Sequence, residues 1–122
     1  MNSSTTLIRQ IHPSFVQDGR ITSQAFRPTP KDEDMLSTYD GDQIDAKSAW
    51  KHYTESLGHV SDGALGVSVS ECEALDLKVT SDPESFPEHV LIDFSGHGRK
   101  QIEKRAKKLK LHAETRDWLF QP

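Results

Sequence analysis

Asp93, Ser95 and His97 place an acid, a hydroxyl and an imidazole within five residues, in the string Asp-Phe-Ser-Gly-His-Gly. Those are the parts of a nucleophilic triad, in which the acid orients the histidine and the histidine takes the serine proton. Triad members usually come from separate elements, so the string is a weak catalytic candidate. The plainer reading is a strand-to-helix turn with Ser95 as the cap, and the free N–H groups of Gly96 to Arg99 would then suit an anion. Cys72 has no neighbour that would lower its pKa and reads as a small buried residue. The six histidines are scattered with no i, i+4 pair, so no metal site is expected. Asp40-Gly41-Asp42-Gln43-Ile44-Asp45 begins like a calcium loop, but Ile44 and Lys51 stand where oxygen ligands belong. No glycine-rich phosphate loop is present, no cofactor is expected, and no enzyme activity is assigned.

Charge gives a stronger lead. The formal net charge of −4 conceals a balance of −9 over residues 1–98 and +5 over residues 99–122. In the basic segment, Ile102, Ala106, Leu109 and Ala113 fall within about 60° on a helical wheel and form a buried stripe. Opposite it lie Lys100, Lys104, Lys107 and Leu111, with Lys108 adjacent. If the helix continues, Trp118 joins that side. Lysines around apolar Leu111 and Trp118 make a partner-binding face, the lysines steering and the aromatic anchoring. Two plainer readings compete with it. The lysines are a solvated face, or the helix stops near Arg116 and Trp118-Leu119-Phe120 folds back onto the core. The same helix is also a candidate for nucleic acid, through phosphate contacts and base stacking, although the −9 remainder would repel a polyanion.

These residues need elements to hold them. Residues 1–6 are polar and are expected to fray, leaving residues 7–122 as a single α+β domain that ends in the basic amphipathic helix. Short strands are expected at Leu7 to Ile11, Met35 to Tyr39, Ala64 to Val69, Leu77 to Thr80 and Val90 to Phe94, with a hairpin turning at Asp18-Gly19 between Phe15-Val16 and Ile21 to Phe26. One main helix is predicted over about residues 43–57, capped from Asp40-Gly41-Asp42 and stopped by Gly58, and the other over about 99–116. Ser70-Glu71-Cys72-Glu73 matches a capping box. The fold class is α+β, a small mixed or antiparallel sheet covered mainly on one face by the two helices. With 122 residues, one cysteine, no signal peptide and no membrane-length apolar run, the expected setting is the cytoplasm.

Two proline-framed stretches, Phe26 to Asp32 and Asp82 to His89, read either as rigid loops able to present an aromatic to a partner or, more plainly, as ordinary turns whose phenylalanine plugs the edge of the core. The strings Gln24-Ala25-Phe26-Arg27-Pro28-Thr29-Pro30-Lys31-Asp32, Leu36-Ser37-Thr38-Tyr39-Asp40, Phe86-Pro87-Glu88-His89 and Ile92-Asp93-Phe94 resemble small bacterial accessory proteins of mobile or defence-type operons. That resemblance implies a non-enzymatic subunit of a multi-gene system, of defence or toxin–antitoxin type, bound to a larger protein encoded nearby. The alternatives are a nucleic-acid-binding protein and a small enzyme with an unrecognised site.

Overall fold

The first apolar cluster of the chain becomes an inner strand. In the computed structural model, which describes residues 1–122, the strands are β1 (Thr6–Gln10), β2 (Val16–Gln17), β3 (Arg20–Ile21), β4 (Met35–Asp40), β5 (Ala64–Ser68), β6 (Lys78–Ser81) and β7 (His89–Asp93). The helices are α1 (Ala46–Lys51), α2 (Val69–Ala74) and α3 (Arg99–Arg116). The main sheet runs β5-β1-β4-β7-β6 and every pairing in it is antiparallel. The fold is therefore α+β. No helix is long and apolar enough to cross a membrane.

Register decides which side chains share a face. Leu7 stands opposite Asp40 and Val67, Leu36 opposite Ile92, and Thr38 opposite Val90. Leu7, Leu36, Val67, Val90 and Ile92 form the larger core with Ile102, Ala106, Leu109 and Ala113 of α3. On the other face, Ile8, Tyr39 and Ala64 form a smaller core with Ala49 of α1. The two longer helices thus lie on opposite faces, not on one. Ala64 to Ser68 is consequently buried at every position, where alternation predicts a half-buried strand.

Several boundaries also differ. Residues 2–5 are tied down: Thr5 is 1% exposed, its hydroxyl donates to Asp42 Oδ2 at 2.6 Å, and its carbonyl accepts from Val69 N. An inner β1 obliges the chain leading into it to satisfy its polar groups within the fold. Asp18 and Gly19 both have positive φ, as a two-residue hairpin needs, but the hairpin closes at Arg20–Ile21 and Ser23–Phe26 becomes a short 3₁₀ turn. The helix predicted over 43–57 starts at Ala46, capped by Asp45, whose side chain accepts from Ser48 N. Asp40 instead ends β4 and holds Asp42 N and Gln43 Nε2. Beyond Lys51 the helix widens into a π turn over His52–Ser56. The capping box sits two residues earlier than predicted, with Ser68 as the cap and Glu71 reaching back.

Candidate functional site

Helix α3 is held from three directions. Its buried stripe lies on the sheet, and its flanks are tied by ion pairs: Arg27 to Glu103 (3.2 Å), Arg20 to Glu114 (3.2 Å) and Arg116 to Glu71 (2.7 Å). Lys110 reaches Glu114 at 3.4 Å, and Arg105 Nε donates to the Leu75 carbonyl at 2.6 Å. These contacts use both glutamates of the helix. Lys100, Lys104, Lys107 and Lys108 remain exposed, and none has a carboxylate within ion-pair distance.

Leu111 lies among those lysines, 61% exposed. Beside it is a hollow of about 390 Å³ lined by Ile21, Thr22, Ser23, Lys107, Lys110 and Leu111. The floor of this hollow comes from the end of the β2–β3 hairpin. A surface with free positive charges around an apolar side chain and a dent suits an acidic surface that carries an apolar side chain of its own.

Trp118 does not join this face. The helix ends at Arg116, and Asp117 takes a φ of 67°, which turns the chain back. Trp118 is half-buried against the larger core, and Phe120 bridges to Ala64, with Leu119 N donating to the Ala64 carbonyl at 2.9 Å. Residues 118–120 cover the outer edge of β5. Burying two rings and pairing an open strand edge outweighs one more helical turn.

The Asp93–Ser95–His97 turn borders an open cleft of about 570 Å³, with Glu73, Asp76 and Lys78. Ser95 N donates to Asp93 Oδ1 at 2.7 Å, and the Ser95 hydroxyl and N–H hold the Asp93 carboxyl below the usual carboxylate range. His97 Nε2 instead faces the Asp76 carbonyl at 2.9 Å, and no hydrogen bond joins His97 to Ser95. The serine–histidine contact that nucleophilic catalysis requires is therefore not formed. Nor is Ser95 the helix cap. Gly98 occupies that position without a side-chain bond. Cys72 is fully buried, and burial pushes its thiol up to about 12.

Two groupings escape a reading of the sequence. Phe86 plugs the edge of the smaller core, the plainer of the two readings of its loop, and stacks there against Tyr39, His52 and His89 at ring separations of 5.0, 4.8 and 4.7 Å. Tyr39 Oη lies 2.7 Å from His52 Nδ1, and burial pushes its phenol above the ordinary range. His89 Nδ1 lies 2.8 Å from Asp82 Oδ2, and the Ser85 hydroxyl and His89 hold Asp82 below the carboxylate range. Asp82, Ser85, Phe86 and His89 are neighbours in the chain, but Tyr39 of β4 and His52 of the α1 extension join them from far away, so no local spacing gives the whole cluster.

The second grouping surrounds Arg9. Its Nε donates to the Ala25 carbonyl at 2.8 Å and its Nη1 to the Ser37 carbonyl at 3.0 Å. No carboxylate pairs with it, and burial pushes the guanidinium down to about 10, so it remains a cation at neutral pH. A single charged residue inside the apolar run Leu7 to Ile11 is the sequence signal that marks it. The chain matches no protein-family model, no curated protein and no solved structure, so its own geometry carries the reading of its site.

Proposed function

We propose that the protein is a non-enzymatic binding module that docks an acidic surface of a larger protein through the exposed face of α3. The observation that carries this reading is the set of unpaired cations Lys100, Lys104, Lys107 and Lys108 around exposed Leu111 and its adjoining hollow. Those residues span about 16 Å along the helix, a length suited to one helix or one edge of a folded partner. The lysines supply attraction at range, and Leu111 supplies area that loses water on contact. The resemblance of the proline-framed strings makes the partner a larger component of the same multi-gene system. Nucleic acid fits the face less well, because its aromatic, Trp118, is committed to the core and provides no platform for a base.

The test is affinity capture from the native host after nuclease treatment, with the wild-type chain and the charge-reversed K100E/K104E/K107E variant side by side. A stoichiometric protein retained by the wild type, released by moderate salt and lost from the variant, is the expected result. Equal retention by both would remove α3 from the interface. Low-salt gel shifts with generic DNA and RNA provide the contrasting arm. Binding that falls steeply with log salt and disappears in the variant would transfer the face to nucleic acid.

A further inference from the structure

β1 and β4 pair at only two positions, Leu7 with Asp40 and Ile8 with Tyr39, and then part, although β4 continues along β7 as far as Met35. The sheet therefore opens between Arg9 and Ser37, and the Arg9 guanidinium bridges the opening by donating to the Ser37 carbonyl. The opening leads into a cavity of about 440 Å³, roofed by Pro28 and Thr29 of the proline-framed loop and lined by Arg9, Arg27, Gln24 and Phe15. That volume lies in the range of small-molecule sites, and the lining combines apolar surface with a few convergent polar groups. No carboxylate lies within ion-pair distance of Arg9; the one carboxylate on the lining, Asp32, accepts from the Thr29 hydroxyl at 2.9 Å and attracts the Arg9 guanidinium at longer range. With its hydrogen bonds spent on carbonyl oxygens and only the longer-range attraction of Asp32 to offset its charge, a partly buried guanidinium beside a second arginine can still take an oxyanion as its complement.

We propose that this split in the sheet is a binding site for a small organic oxyanion, a carboxylate or a phosphate monoester, held by Arg9 and by Arg27, which exchanges its 3.2 Å pairing with Glu103 for the ligand, with its apolar part against Phe15. The site is formed by β1, β4, Phe15 and the 24–32 segment and uses none of the lysines of the docking face, so the two readings fail separately.

The experiment is a titration of the ¹⁵N-labelled protein followed by NMR, with phenyl phosphate, benzoate and neutral benzyl alcohol as probes. At least one anion is expected to give saturable shifts at the Arg27 Nε–H and at the Gln24, Thr29 and Ser37 amides. The concentration range extends to about 20 mM, above the millimolar Kd of a fragment-sized ligand. Benzyl alcohol is expected to give none. Which anion saturates first identifies the headgroup. Arg27→Gln, at a side chain that is already partly exposed, should weaken the binding at least about tenfold by removing one charge-assisted contact. K100E/K104E should leave it unchanged. No saturable shift, equal shifts with the alcohol, an unchanged affinity in Arg27→Gln, or shifts confined to the α3 lysines would each overturn the assignment.

Discussion

Glu71 performs two structural tasks at once, and separating them tests how α3 is fastened to the sheet. Its Oε1 accepts from the Ser68 N–H at 2.8 Å, completing the capping box at the start of α2. Both of its oxygens also accept from Arg116 near the end of α3, at 2.7 and 3.1 Å, and His112 stands 3.1 Å away. Glutamine can still cap, so Glu71→Gln removes the ion pair alone, whereas Glu71→Ala removes both contacts. A charge-assisted bidentate pair contributes roughly 1.5–3 kcal/mol when shielded. Arg116 is about a third exposed, which reduces this to about 1–1.5 kcal/mol. Loss of the cap adds about 1 kcal/mol. Urea unfolding followed by the fluorescence of Trp50 and Trp118 should then show a loss near 1–1.5 kcal/mol for Glu71→Gln and near 2–2.5 for Glu71→Ala.

The pH dependence gives a second reading of the same contact. Burial opposes ionisation of Glu71, but the Arg116 guanidinium and the Ser68 N–H prevail and hold its carboxyl below the usual range. A carboxyl with a depressed folded value adds stability above its unfolded pKa and loses it as pH falls through the folded value. The deficit of Glu71→Gln should therefore be full at neutral pH and vanish below the ordinary carboxylate range. An unchanged unfolding midpoint in Glu71→Gln, or a deficit that persists in acid, would refute this account of the fastening.

Gly63 has a φ of 148°, and a Cβ there would meet the Phe120 carbonyl at 2.5 Å and the Trp118 ring at 3.0 Å. Gly63→Ala should cost about 1–3 kcal/mol, release residues 118–120 from the edge of β5 and shift tryptophan emission to the red; unaltered emission and stability would contradict the edge contact. Cys72, buried with its thiol raised to about 12, should react with an aromatic disulfide reagent only at the rate at which the protein opens, accelerating with urea, and prompt labelling of the native protein would contradict its burial.

The parts of the fold that were legible were those whose signals are local. The stripe of Ile102, Ala106, Leu109 and Ala113 predicts α3 to its observed ends, because one face of one helix meets one sheet. The capping box slips because Ser-x-x-Glu occurs twice, at Ser68 and at Ser70. The choice between them is made by distant groups, namely Thr5, whose carbonyl takes Val69 N, and Arg116, which holds Glu71. Asp45 rather than Asp42 caps α1 because Asp42 is already engaged by the Thr5 hydroxyl. The lysine face was legible as a pattern, and of the two readings of Trp118 the structure shows the fold-back after Arg116; the reversal itself falls on Asp117, at a positive φ that no glycine or proline announces. Neither Arg9's bridging of a divided sheet nor the stacking around Phe86 leaves any periodic trace, since both join residues far apart in the chain.

The strand order also sets how the molecule reaches its native state. β1 comes first in the chain yet lies between β4 and β5, and β6–β7 is the only pair in the main sheet whose strands are consecutive in sequence. The sheet cannot grow by adding hairpins one after another, because its inner strand waits for partners made much later. Folding of this chain is accordingly governed by closure of long loops, on the millisecond-to-second scale of non-local topologies. Substitutions in the Leu7-Ile8 segment should therefore slow refolding more than substitutions of equal cost in the β6–β7 hairpin.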